Sequence, residues 1–102
     1  MTKIKITVIK RFSPEDVFGY EYVTPNGEKI EKCSFEDGQE WISENREMPE
    51  GFCWWAWADL TRSVNVLRLG GNYKHWAEDG IIYDTCSDGV RPVVFKIERI
   101  ED

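Results

Sequence analysis

The sequence predicts an α+β domain: a small, mostly antiparallel sheet, one main helix over about residues 52–69 packed on it, and a C-terminal β-hairpin. Three observations predict it. Ile4, Ile6 and Val8 alternate with Lys3, Lys5, Thr7 and Ile9, the period of a half-buried strand. Cys53, Trp57, Leu60, Val64 and Leu67 recur at three- and four-residue spacing, the buried stripe of a helix. Val93, Phe95 and Ile97 alternate with Val94, Lys96 and Glu98 after an Asp88-Gly89 turn signal, which gives the last strand of a hairpin.

After the first strand, Ser13-Pro14-Glu15-Asp16 reads as a helix start. Ser13 can cap, Pro14 suits the first helical position, and two acids complement the positive helix end. Gly19 and then Thr24-Pro25-Asn26-Gly27 keep that helix short, since Pro-Asn-Gly is turn chemistry. Lys29 to Phe35 has no decisive pattern and leads to a second turn at Asp37-Gly38. Gln39 to Ser43 reads as a short strand, and Asn45 to Gly51, with Pro49, as a loop. The main helix stops at Gly70-Gly71. Its two successive tryptophans, Trp54 and Trp55, point about 100° apart, so at least one of them stays outside the core. Asn72 to Gly80 is a loop or short helical turn, and Ile81 to Cys86 is a strand. Pro92 is tolerated as the first residue of the last strand.

A chain of 102 residues makes one domain, 1–102, large enough to bury roughly 60–70% of its unfolded surface. With 41% hydrophobic and 31% charged residues and no low-complexity run, it is expected to fold. Thirteen scattered basic residues against nineteen acids give a net charge of −6, which argues against nucleic acid and anionic membranes as partners. No stretch approaches the ~20 apolar residues of a membrane span. The opening alternation reads as a strand and not as a signal peptide. Three cysteines are too few, and odd in number, for a disulfide framework, so a reducing cytoplasm is the expected location.

The usual signatures of chemistry are absent: the chain has no Gly-rich phosphate loop, no Cys-x-x-Cys, no His-Glu-x-x-His and no Gly-x-Ser-x-Gly. His75 is the single histidine, and its Gly-Gly-Asn-Tyr-Lys-His-Trp context is that of a surface loop. The cysteines remain. Cys53 is placed at the start of the main helix, where free backbone N–H groups and the helix dipole favour an anion. Cys86 ends a strand before the Ser87-Asp88-Gly89 turn, and Cys33 precedes Phe35. A sheet and helix can bring these three to one end of the domain, where Cys33, Cys53 and Cys86 could ligate zinc or iron. They could equally form a reactive or redox site, or be buried as small hydrophobes. The helix dipole is worth about 0.3–1 kcal/mol to an exposed anion, less than one pKa unit. A reactive thiol here therefore needs a second contribution, from Arg91 or a metal. Asp88 and Arg91 could act beside Cys86 and Cys53 as catalytic groups, or simply form a turn with an ion pair at its shoulder. Trp54, Trp55 and Trp76 could wall a ligand pocket or anchor a subunit contact.

Three blocks occur in order: Pro49-Glu50-Gly51-Phe52-Cys53-Trp54-Trp55-Ala56-Trp57, Leu69-Gly70-Gly71-Asn72, and Thr85-Cys86-Ser87-Asp88-Gly89-Val90-Arg91-Pro92-Val93-Val94-Phe95. On these the chain resembles a family of small prokaryotic proteins of about this length with no assigned activity. The resemblance implies cysteines at the positions of Cys33, Cys53 and Cys86. It also implies a proline after the first, where this chain has Ser34. It supplies no reaction. The expectation is a thiol-centred metal- or small-ligand-binding domain with a redox or enzymatic role. The alternatives are an aromatic-walled ligand-binding module and an oligomeric accessory protein without chemistry, with a homodimer expected from the paired tryptophans.

Overall fold

The opening alternation builds β1 (Thr2–Arg11), which lies inside the sheet between two antiparallel partners. The computed structural model describes residues 2–101. Its order is β1, α1 (Pro14–Phe18), β2 (Glu40–Ser43), α2 (Trp54–Arg68), β3 (Ile81–Thr85) and β4 (Val93–Glu101). The four strands form one antiparallel sheet in the order β2-β1-β4-β3, with β3 and β4 as the C-terminal hairpin. The α+β class, the single main helix and the hairpin are as the sequence predicts. No helix among the described residues is long and apolar enough to cross a membrane.

Register follows from which side chains must leave water. Ile6 pairs with Ile97, and Ile97 with Ile82, so three branched side chains cross the sheet on one row. Ile4, Val8, Val93 and Phe95 share that face, and all seven are buried beneath α2. Between Val8 and Lys10 the β1–β4 register slips by one residue, and Ile9 is left 46% exposed at the irregularity.

The helix covers this face with Ala56, Leu60, Ser63, Val64 and Leu67. The predicted stripe is corrected at two positions, since Cys53 and Trp57 are only half-buried. A helix lying close on a sheet needs small side chains along its line of approach, and Ala56 and Ser63 supply them. Trp57, one residue on, is rotated to the flank and packs against Phe52 there. Each fully buried Leu or Val on α2 contributes about 1.5–3 kcal/mol relative to exposure. The helix also starts later than position 52. Phe52 follows a turn in which Gly51 has φ +80°, and its N–H donates to the Pro49 carbonyl at 3.1 Å. Cys53 is extended, at φ −76° and ψ 121°, and is the N-cap. At the other end Leu69 is the C-cap, and Gly70 takes φ +89° to reverse the chain. A Cβ on Gly71 would stand 2.8 Å from Val66 Cγ1 and 3.0 Å from the Val66 carbonyl oxygen, so that glycine is favoured by close contact, whereas Gly70 is favoured by its φ.

Segment 20–39 forms no named strand. A Val23–Lys29 bridge spans the Pro25-Asn26-Gly27 turn, and Phe35 plugs the core edge. Its ring meets Phe52 at 5.4 Å and, edge-on, Trp41 at 5.1 Å and Phe95 at 5.6 Å.

The short α1 is held by a reciprocal cap. The Ser13 hydroxyl accepts from Asp16 N at 3.0 Å, and the Asp16 carboxylate accepts from Ser13 N at 2.9 Å. These bonds to the Ser13 backbone and hydroxyl hold the Asp16 carboxyl below its ordinary range. Asp37 is lowered first by its hydrogen bond from the Arg11 side chain, 3.2 Å from Nε, and also by one from the Arg11 backbone. A carboxylate depressed in the folded state adds stability above its unfolded pKa and loses it as pH falls through the folded one. Replacing both, D16N with D37N, is expected to flatten the acid limb of the stability–pH curve. Urea melts of variant and wild type should converge below the carboxylate range and diverge at neutral pH.

Candidate functional site

The turn after β3 is fastened to the start of α2. Cys86 N donates to the Val93 carbonyl at 3.2 Å, closing the hairpin. The next residue, Ser87, makes two bonds to the helix: its N–H donates to the Asp59 carboxylate at 2.7 Å, and its hydroxyl accepts the Trp55 indole N–H at 2.7 Å. Trp55 and Asp59 are one turn apart on the same helix face, so they grip the turn together. This clamp brings Cys86 to the helix end that Cys53 caps.

The turn itself is organised by Asp88, whose Oδ1 accepts from Val90 N at 2.9 Å and Arg91 N at 3.1 Å. Arg91 Nε donates back to Asp88 Oδ2 at 3.4 Å, and its Nη1 donates to the Glu31 carbonyl, also at 3.4 Å. A second arginine fixes the same segment from the sheet, with Arg11 Nη1 donating to the Cys33 carbonyl at 3.1 Å. Together with the packing of Phe35, these bonds hold the Cys33 stretch against the hairpin turn.

The result is one cavity of about 120 Å³ lined by Cys33, Cys53, Cys86, Asp88, Arg91 and Trp55, with Phe35 and Ala56 as its apolar floor. The three cysteines are free thiols and half-buried. Residues from three distant parts of the chain therefore meet around one space, with an arginine–aspartate pair on its wall.

Two expectations do not match this geometry. No group of three or more His, Cys, Asp or Glu side chains among the described residues is placed to hold a metal ion, so Cys33, Cys53 and Cys86 share a cavity without forming a ligand cluster. The three tryptophans are not brought together either. Trp55 lines the thiol cavity, whereas Trp54 is 73% exposed beside it with ring centroids 6.2 Å apart. Trp76 stands 86% exposed on the 72–80 loop, over a different cavity. The divergence of Trp54 and Trp55 is the 100° step of the helix, and Trp76 lies beyond the Gly70-Gly71 reversal. His75 is exposed on that same loop.

The sequence reading missed Ser87, Asp59 and Arg11 as supports of the site. A polar residue one turn after Trp55, facing the same way, is the signal that could have pointed to Asp59. No family model matches the chain, and no curated protein or solved structure gives a significant match.

Trp55→Phe keeps the aromatic surface and deletes the indole donor to Ser87. Because this bond is exposed, the expected loss is about 0.5–1 kcal/mol in chemical denaturation. Cys86 should also alkylate faster than in the wild type while Cys33 keeps its rate, as read by peptide mass spectrometry after timed labelling.

Proposed function

We propose that the protein is a thiol-centred small-ligand domain in which two of Cys33, Cys53 and Cys86 act together in redox chemistry. One observation carries this: three cysteines separated by at least 20 residues in sequence line one cavity with Arg91 and Asp88. Inert burial as small hydrophobes does not require thiols from three segments to meet, nor an ion pair beside them.

The size of the space selects the ligand. At about 120 Å³ it is smaller than the roughly 300–1,000 Å³ of sites for drug-sized molecules. A hydroperoxide fits the space and the chemistry. One cysteine, as thiolate, attacks the terminal peroxide oxygen. The O–O bond breaks, the leaving oxygen takes a proton to depart as water or alcohol, and the cysteine becomes a sulfenic acid. A second thiol attacks that sulfur, water leaves, and a disulfide forms. The two electrons that reduce the peroxide come from the thiol pair. Arg91 supplies a positive charge on the cavity wall, and Asp88 holds it there. Zinc and iron are outside this proposal, because among the described residues no three donors are placed to share one ion. A reducing cytoplasm is the compartment that would return the disulfide to thiols.

Stoichiometric hydrogen peroxide should lower the free thiol count of the native protein from three to one, with the loss of two hydrogens and a peptide crosslink in the mass spectrum. Replacing the resolving cysteine by serine should stop the reaction at a sulfenic acid, and replacing the attacking cysteine should abolish it. Three thiols that oxidise independently, or no faster than in urea, would overturn the proposal.

A homodimer through the start of α2 belongs to the same proposal. It is supported by Trp54, 73% exposed, beside Trp55, 50% exposed, on one small domain. Sedimentation velocity at high micromolar concentration should give a dimer, and Trp54→Ser should give a folded monomer whose melting temperature no longer rises with protein concentration.

A further inference from the structure

A second cavity, of about 460 Å³, lies further along α2, between Arg62 and Ser63 of the helix, β3 and the 72–80 loop, and falls within the size range of small-molecule sites. Its rim is preformed. Asn72 Oδ1 accepts from Gly80 N at 2.7 Å and from Arg99 Nη2 at 2.9 Å, closing the base of the 72–80 loop. Arg99 Nη1 ties the preceding reversal down by donating to the Leu67 and Gly71 carbonyls at 2.9 and 3.0 Å. Inside the loop the Tyr73 carbonyl accepts from both Trp76 N and Ala77 N. The loop is fixed at its base, yet it holds Tyr73 and Trp76 out in water, and Tyr83 of β3 is exposed across from them. Among the described residues none of these three rings stacks on another aromatic ring. They border a space rather than fill one.

Two opposite charges line the same cavity and do not meet. Asp84 accepts from the buried Ser63 hydroxyl at 2.6 Å and from Thr85 N at 2.8 Å, both neutral donors, and has no cationic partner among the described residues. Arg62, on α2, makes neither a hydrogen bond nor an ion pair with a described residue. A carboxylate held in place without a cation, a guanidinium without an anion, and three exposed aromatic side chains around the gap define a complementary ligand. Ring faces and a carboxylate attract a weakly hydrated ammonium. A guanidinium takes a carboxylate through paired N–H donors.

We propose that this cavity binds a small zwitterion of the betaine class, an N-methylated ammonium joined to a carboxylate. The methylated ammonium sits among Tyr73, Trp76 and Tyr83 beside Asp84, and the carboxylate of the ligand pairs with Arg62. The site is separate from the thiol cavity and does not depend on its chemistry.

Titration of the full chain with glycine betaine, followed by ¹H–¹⁵N NMR and calorimetry, tests it, with tetramethylammonium chloride and sodium acetate as the two half-ligands. Saturable shifts are expected at the Trp76 indole N–H and at the Tyr73 and Tyr83 amides, with weaker binding of tetramethylammonium and none of acetate. Arg62→Gln should weaken betaine about tenfold, the size of one charge-assisted contact, and leave tetramethylammonium unchanged. Trp76→Ala, at a side chain too exposed to affect folding, should abolish both. Absence of saturable shifts at Trp76, or equal binding of betaine and tetramethylammonium, would overturn the proposal.

Discussion

The pairing of β1 with β4 joins the first and last strands at the middle of the sheet, and the remaining elements take their places from it. Nine Cα pairs, from Thr2–Glu101 to Arg11–Val93, connect segments about ninety residues apart. The β3–β4 hairpin can form locally, but it cannot become a four-stranded sheet until β1 joins β4, and β2 has only β1 to lie against. The loop entropy of that closure must be met before the row of Ile6, Ile97 and Ile82 can be buried, a topology that folds more slowly than one made of local contacts. The helix follows: α2 has an apolar surface to cover only once both strands present their inward residues together.

The core and the thiol cavity share residues at one end of this arrangement. Phe35 stands two positions after Cys33, and Phe52 one position before Cys53. Their rings lock against each other and against Phe95 of β4. The aromatic cluster that seals the core edge thus also places two thiols on its outer side. The hairpin turn delivers the third through the grip of Trp55 and Asp59 on Ser87. Half-buried cysteines beside a rigid core are restrained in position while still open to a small reagent. That combination is what thiol chemistry requires and what complete burial denies.

The regular elements were legible because their periods are local. The alternation in β1 and β4 and the three-and-four spacing in α2 survive whatever packs against them. The phase of the helix was less legible. Trp57 carries far more apolar surface than Ala56, but the line of closest approach to a sheet excludes an indole, a fact about the partner surface that the helix sequence does not carry. Lys29 to Phe35 has no period because tertiary bonds shape it, from Arg91 to the Glu31 carbonyl and from Arg11 to the Cys33 carbonyl. Cys53 and Cys86 could be placed at neighbouring ends from element order alone. That Cys33 joins them, and that Trp76 does not, depends on the path of those irregular segments. The pairing of Ser63 with Asp84 across α2 and β3 was likewise beyond reach, since nothing in either segment marks its register against the other.

The lengths of the strands have a further consequence. The ten-residue β1 and the nine-residue β4 are hydrogen-bonded along both sides for part of their length, while the sheet's two open edges belong to the four-residue β2 and the five-residue β3. A free strand edge is a template on which other chains can extend a ladder into insoluble aggregates. Here the edges run for only four and five residues before the backbone turns away, and Asp84 adds to β3 a carboxylate with no cationic partner among the described residues. The long strands thus sit at the centre of the sheet and the short ones at its rim, which leaves neighbouring molecules little edge on which to polymerise.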